Sequence, residues 1–203
     1  LKALAKVSGF GISSLGTLVG FYALYLIATH NLHLVSAGKI YRSNQLDQDA
    51  LARLVHEYGI KTIVNLRGAD PNAKWYRSET NVSQQLEVKH LDFALSATRE
   101  TTDAQIDEIL TALNFAPKPV LIHCRSGADR AGLISALYLY SLEGKSPEVA
   151  GRQLSLLCGH LPAFLGTASS AMDRSYRRYV RAHTISTNIA GLKPAVLTVQ
   201  SHN

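Results

Sequence analysis

Residues Pro119 to Gly132, PVLIHCRSGADRAG, bring together the residue types that could do chemistry. An apolar run ends in His123-Cys124, five residues follow, and then Arg130 leads into a second, longer apolar stretch. A loop joining a strand end to a helix start aims backbone N–H groups and the positive helix end into one small bowl. That is an anion site by construction. Gly127 permits the backbone conformation such a turn needs. Arg130 adds a two-pronged grip on phosphate oxygens. Cys124 at the bottom would be surrounded by N–H dipoles, a helix amino terminus and a guanidinium, and all three favour thiolate over thiol. A thiolate beneath a bound phosphoryl group is a nucleophile aimed at phosphorus. No metal is needed for this, the sequence offers no metal-ligand cluster, and no cofactor is expected.

The elements that must hold this loop can be read from periodicity. Lys39 to Arg42 is expected as a strand. Asp47 begins a helix whose Leu51, Leu54, Val55 and Tyr58 fall on one face, and Gly59 stops it. Lys61 to Leu66 reads as a buried strand, Arg67 to Asn72 as a loop, Trp75 to Leu86 as a helix and Val88 to Phe93 as a strand. Thr102 and Gln105 form a capping box ahead of Ile106, Ile109, Leu110 and Leu113. Pro119 to Ile122 is a strand. Ala131 to Tyr140 is apolar on nearly every side, so a buried helix is expected there. Ser146-Pro147 starts another helix, and a last one is placed over Ser170 to Ala182. The alternation predicts an α/β fold: a sheet of four or five mostly parallel strands flanked by helices.

Composition agrees with a folded domain. The chain has 203 residues, 46% of them apolar, with 21 Lys and Arg against 15 Asp and Glu and a net charge of +6. Two cysteines exclude a disulfide scaffold, and the mild basic excess is too diffuse for nucleic acid. The charge is uneven. Lys2 and Lys6 are followed by Val7 to Thr29, a run of 23 residues with no Asp, Glu, Lys, Arg or His. At 1.5 Å per residue that run can cross a bilayer core, so residues 1–29 are expected to be a transmembrane signal anchor. A cleaved signal peptide, with Val35-Ser36-Ala37 as a weak site, is the alternative. The short basic end would lie in the cytoplasm and the domain outside it, and Gly16 to Gly20 matches a small-xxx-small dimer pattern. Residues 30–183 form the predicted domain and 184–203 a flexible tail.

His-Cys-x5-Arg with Gly127 inside resembles the cysteine-dependent protein tyrosine phosphatases, above all their compact dual-specificity branch. YRSNQL, NLRG, DFALSA and GADRAG look like segments of a membrane-anchored bacterial group of that branch, and the resemblance covers residues 38–182. It implies a phosphotyrosine phosphatase-like fold, a bacterial inner-membrane location with a periplasmic domain, and a phosphorylated protein or small phosphomonoester as substrate. It also implies a two-step reaction through a phosphocysteine. Carried over, Cys124 is the nucleophile, Arg130 the clamp, and Arg125, Ser126, Gly127, Ala128, Asp129 and Arg130 bind phosphate. His123 would tune the thiolate from beneath. Ala131 departs from the Ser or Thr usual after the arginine, whose hydroxyl helps the thiolate leave. The acid is open between Asp92, one helix before the nucleophile, and Asp129, beside the arginine. Asp103 is a third candidate, already explained by its capping position.

Other residues have structural readings. Arg67 is expected to pair with Glu79 rather than meet substrate, and Trp75 and Tyr76 to join the core rather than line the cleft. Cys158 is expected to be a packing residue, with a regulatory disulfide to Cys124 as the alternative, and His160 a buried, hydrogen-bonded histidine. Arg174, Arg177, Arg178 and Arg181 form a solvated basic face, with acidic lipid headgroups as the sharper reading. Two rivals remain. One is a phosphate-binding module that has lost turnover. The other is a rhodanese-like sulfurtransferase, whose loop is one residue shorter.

Overall fold

A computed structural model describes residues 16–161 and 170–191, with side chains of the last helix described to residue 184. Helix α1 covers 16–28. It is followed by β1 (His33–Ser36), β2 (Ile40–Ser43), α2 (Gln48–Tyr58), β3 (Thr62–Asn65), α3 (Lys74–Gln85), β4 (Lys89–Asp92), α4 (Asp103–Phe115) and β5 (Val120–His123). Then come α5 (Asp129–Ser141), α6 (Pro147–Gly151), a 3-10 turn (Leu156–Cys158) and α7 (Ser170–Gly191).

Local chemistry explains the boundaries. Asp47 caps α2 by accepting from the Ala50 N–H at 2.8 Å, and Gly59 ends that helix at φ 62°. Thr102 and Gln105 cap α4 reciprocally. Ser146 caps α6 with Pro147 in its first turn, where a missing N–H costs nothing.

The five strands lie in the order β1-β2-β5-β3-β4. β1 runs antiparallel to β2, and the other three pairings are parallel. β5 and β3 are buried at every residue, as expected of central parallel strands covered on both faces. Ile63 and Leu121 pack under α2 and α3, whereas Val64, Val120 and Ile122 pack under α4, α5 and α7. Helix α5 is buried continuously from Ala131 to Leu139. Each large apolar side chain buried there contributes roughly 1.5–3 kcal/mol.

Some expectations need correction. Sequence reading missed β1, a four-residue edge strand with a register shift between Leu34 and Ser36. Val35 and Ser36 belong to it, so cleavage after Ala37 would remove a strand from the sheet. Helix α7 continues to Gly191, so residues 184–191 are helical rather than tail, and 192–203 lie outside the described residues. The expected membrane span over 7–29 falls partly on residues 1–15, also outside them. Among the described residues no helix is long and apolar enough to cross a membrane. The described part of that stretch, α1, is nonetheless apolar and exposed: Leu18, Val19, Phe21, Leu24 and Ile27 are each 60% exposed or more.

Candidate active site

The sheet delivers the loop. β5 ends at His123, Cys124 follows with 1% of its surface exposed, and α5 begins at Asp129. Neighbouring segments pin the loop. The Leu66 N–H donates to the His123 carbonyl at 3.0 Å and the Gln45 N–H to the Arg125 carbonyl at 3.2 Å. Asn31 Nδ2 donates to the Ser126 carbonyl at 2.9 Å. Gly127 sits at φ 73°, and a Cβ there would lie 2.7 Å from the backbone of Ser43 and Asn44. No other residue fits that position without moving β2.

Cys124, Arg125, Ser126, Ala128, Asp129 and Arg130 line one cavity of about 490 Å³. Its walls include Ala23, Leu26 and Ile27 from α1. Arg130 Nη1 donates to the carbonyls of Leu66 at 3.3 Å and Leu95 at 3.2 Å. Its Nε is buried without a hydrogen-bond partner among the described residues. One edge of the guanidinium is thus anchored to the scaffold while Nε remains as a donor for an oxyanion. Burial first, then the charges of Arg130 and Arg125, push the Arg67 guanidinium below its usual range.

Two buried charge clusters brace the loop, one at each end. Before the loop, Glu79 of α3 is 3% exposed and accepts from His123 Nε2 at 3.0 Å and His90 Nε2 at 2.8 Å. Gln45 Nε2 donates to its other oxygen at 2.5 Å. Burial alone would raise the Glu79 carboxyl, but these hydrogen bonds and the His123 charge outweigh it and hold it at about 2. The expected Arg67–Glu79 pair is corrected. Arg67 donates to Gln45 Oε1 at 2.8 Å and stacks over Trp75 at 3.5 Å, so Gln45 stands between the two charges.

After the loop, His160 is fully buried and joins Asp129 Oδ1 through Nδ1 at 2.8 Å and Asp173 Oδ2 through Nε2 at 3.1 Å. Burial would lower the imidazole, but the two carboxylates overcome it and raise it above its ordinary value. Below the loop, buried Arg42 donates to Gln153 at 2.7 and 3.0 Å and to the Cys158 carbonyl at 3.2 Å.

The candidate acids part company. Asp129 lines the cavity with Cys124. Asp92 lines a separate small cavity with Gln105 and Glu108. Its oxygens accept from Asn65 Nδ2 at 2.7 Å and Tyr76 Oη at 2.6 Å. The Asp92 hydrogen bond leads the causes that push the Tyr76 phenol up to about 12. Asp103 pairs with Arg178 at 3.1 Å. Cys124 and Cys158 are both free thiols. Of the basic face, Arg174 and Arg178 pair with Glu100 at 2.7 and 2.5 Å. Among the described residues no group of His, Cys, Asp or Glu could hold a metal ion.

Sequence reading missed Asn31, Arg42 and Glu79 as supports of the loop. Arg42 carried a signal, because it shares a strand face with buried Ile40. Glu79 carried none, being one carboxylate in a mixed helix.

A strand-end cysteine, a glycine-bearing loop and an arginine at a helix start, set in this sheet, define a protein tyrosine phosphatase-like phosphatase domain. The family described as PTP-SAK, Swiss Army Knife protein, DSP-PTPase phosphatase domain, matches residues 30–189, and the chain belongs to it. No curated protein matches. Among solved structures, TpbA of P. aeruginosa is 24% identical with TM-score 0.56, over 75% of this chain and 92% of its own. A variant of TpbA was solved in complex with phosphotyrosine. The core catalytic domain of the PP-IP phosphatase SIW14 of S. cerevisiae, in complex with citrate, is 20% identical with TM-score 0.56, over 78% of this chain and 93% of its own. Tk-PTP is 18% identical with TM-score 0.54, over 73% of this chain and 97% of its own. At these identities the likeness is one of fold.

Proposed function

We propose that the protein is a cysteine-dependent phosphatase that hydrolyses phosphomonoesters, phosphotyrosine among them, through a phosphocysteine on Cys124. The observation that carries this reading is the shared cavity of Cys124, Asp129 and Arg130, with Arg130 Nε buried and without a hydrogen-bond partner among the described residues. In the first step the Cys124 thiolate forms an S–P bond as the ester P–O bond breaks, and the leaving oxygen takes a proton from Asp129. In the second, water gives its proton to Asp129 and forms a P–O bond as the S–P bond breaks. Phosphate leaves and the thiolate is restored. Asp129 takes the acid role in preference to Asp92 because it lines the cavity, whereas the oxygens of Asp92 are held by Asn65 and Tyr76. Residues 7–29 anchor the chain in a bacterial inner membrane with the domain on the periplasmic side, a reading supported by the charge-free run and the exposed apolar side chains of α1.

The test is hydrolysis of p-nitrophenyl phosphate by the full chain in detergent, with reductant and chelator, beside Cys124→Ser. Turnover abolished by the substitution supports the reading. Vanadate binding without turnover would favour the binding module, for which Ala131 is the specific support. Asp129→Asn is expected to lower kcat about 100-fold on alkyl phosphates, whose leaving groups need a proton. A larger loss in Asp92→Asn would return the role to Asp92.

A further inference from the structure

The cavity has two unlike walls. Its floor is the phosphate loop, and one side is the apolar face formed by Ala23, Leu26 and Ile27 of α1. Helix α1 is not a loosely tethered appendage. Residue 28 ends it, Asn31 is already bonded to the Ser126 carbonyl, and β1 starts at His33. Tyr22 Oη donates to the Leu156 carbonyl, and Leu26 approaches Gly159 closely enough that a Cβ there would lie 3.0 Å from it.

The outer side of the same helix is apolar and exposed, and the turn it touches adds to that surface. Phe21 is 67% exposed, Leu24 62% and Leu157 80%. Large apolar side chains left exposed beside a ligand cavity mark a contact surface. The sequence identifies what covers it. The charge-free run starts at Val7 and ends at Thr29, and the cleft is flanked by its last residues, 23–27. At 1.5 Å per residue, residue 23 lies only about 8 Å along the axis from the end of α1. In a chain anchored as proposed above, no linker lifts the domain away, and the anchor would put the loop at headgroup depth.

We infer that the substrate is a membrane lipid carrying a phosphomonoester headgroup, its phosphate on the loop of Cys124 and Arg130 and its apolar body along Ala23, Leu26 and Ile27. This rests on the phosphatase reading and on the anchor. It accounts for an apolar helix forming part of a phosphate cavity, where a soluble phosphopeptide would meet a polar rim.

The experiment uses the full chain reconstituted in phosphatidylcholine vesicles. Phosphate release is followed from long-chain phosphatidic acid in the same vesicles, from water-soluble glycerol phosphate, from a phosphotyrosyl peptide and from p-nitrophenyl phosphate. The expected result is kcat/KM for vesicle-borne phosphatidic acid at least about 100-fold above that for glycerol phosphate and above that for the peptide. Ile27→Gln should reduce the ratio of lipid to p-nitrophenyl phosphate turnover about tenfold. Leu157→Gln should reduce lipid turnover and leave p-nitrophenyl phosphate untouched. Turnover of p-nitrophenyl phosphate and peptide with the lipid no better than glycerol phosphate would overturn the lipid assignment and leave the phosphatase standing. An unchanged ratio in Ile27→Gln would remove the apolar wall from substrate binding. No turnover of any substrate would overturn the phosphatase reading and this inference with it.

Discussion

The two ends of the phosphate loop are braced by opposite arrangements of the same chemistry. At the start, one carboxylate, Glu79, is held between two imidazoles, His90 and His123. At the end, one imidazole, His160, is held between two carboxylates, Asp129 and Asp173. The first cluster contributes no cavity-lining side chain, so its effect on the site passes through the position of His123, next to Cys124. The second puts one member, Asp129, into the cavity. A buried charge is tolerable only with partners. The difference therefore teaches which end only supports geometry and which end also contributes a side chain to the cavity of Cys124.

Breaking the first cluster should have the largest effect. Glu79→Ala removes the shared acceptor of buried His123, of His90 and of Gln45. A loss of about 3 kcal/mol is expected, measured as a urea midpoint shift. Activity should fall with it, because His123 leads directly into the loop.

The pH dependence should separate the two ends. Glu79 is held down at about 2, so its contribution is fully present above the ordinary carboxylate range. It is lost as pH falls from about 4.5 toward 2. His160 is raised, so its contribution is fully present below the ordinary imidazole value and fades as pH rises through the raised one. Urea midpoints measured against pH should show an acid limb that flattens in Glu79→Gln and an alkaline limb that flattens in His160→Gln. One limb answering to both variants would dissolve the distinction.

Next in size, His160→Gln should lower kcat about tenfold with KM little changed, because it loosens Asp129 without touching the phosphate grip. A positioning role also predicts that the pH profile of kcat moves. A purely structural role would change only the amount of folded protein.

This contrast also explains what sequence could reveal. The loop His123 to Arg130 was legible because its residues are contiguous and each has a chemical reason at its spacing. The strands and helices around it were legible from periodicity and from caps such as Asp47, Gly59 and Thr102. The braces were not. Glu79 and His123 lie 44 residues apart, and Asp129 and His160 lie 31 apart, and no local pattern joins them. β1 escaped because four residues at a bulged edge carry little alternation. Asp92 stood at the family's spacing for the acid, yet its side chain is held by Asn65 and Tyr76. Spacing along a chain says nothing of which way a strand-end side chain turns.

The smallest effect belongs to Asp173→Asn, and it is the sharpest test of the second cluster's polarity. Asp173 contacts His160 at 3.1 Å from the first turn of α7, on the side away from Asp129. Asparagine keeps the shape and an accepting oxygen but drops the charge, so the imidazolium loses one of two carboxylate partners while its hydrogen bond survives. The expected cost is about 1 kcal/mol of stability, with kcat down only about twofold. If Asp173 acts on catalysis only through His160, the double variant His160→Gln/Asp173→Asn should be no slower than His160→Gln alone. Additive losses in kcat would mean that α7 reaches the cleft by a second route, and the cluster would no longer be a single line from Asp173 to Asp129.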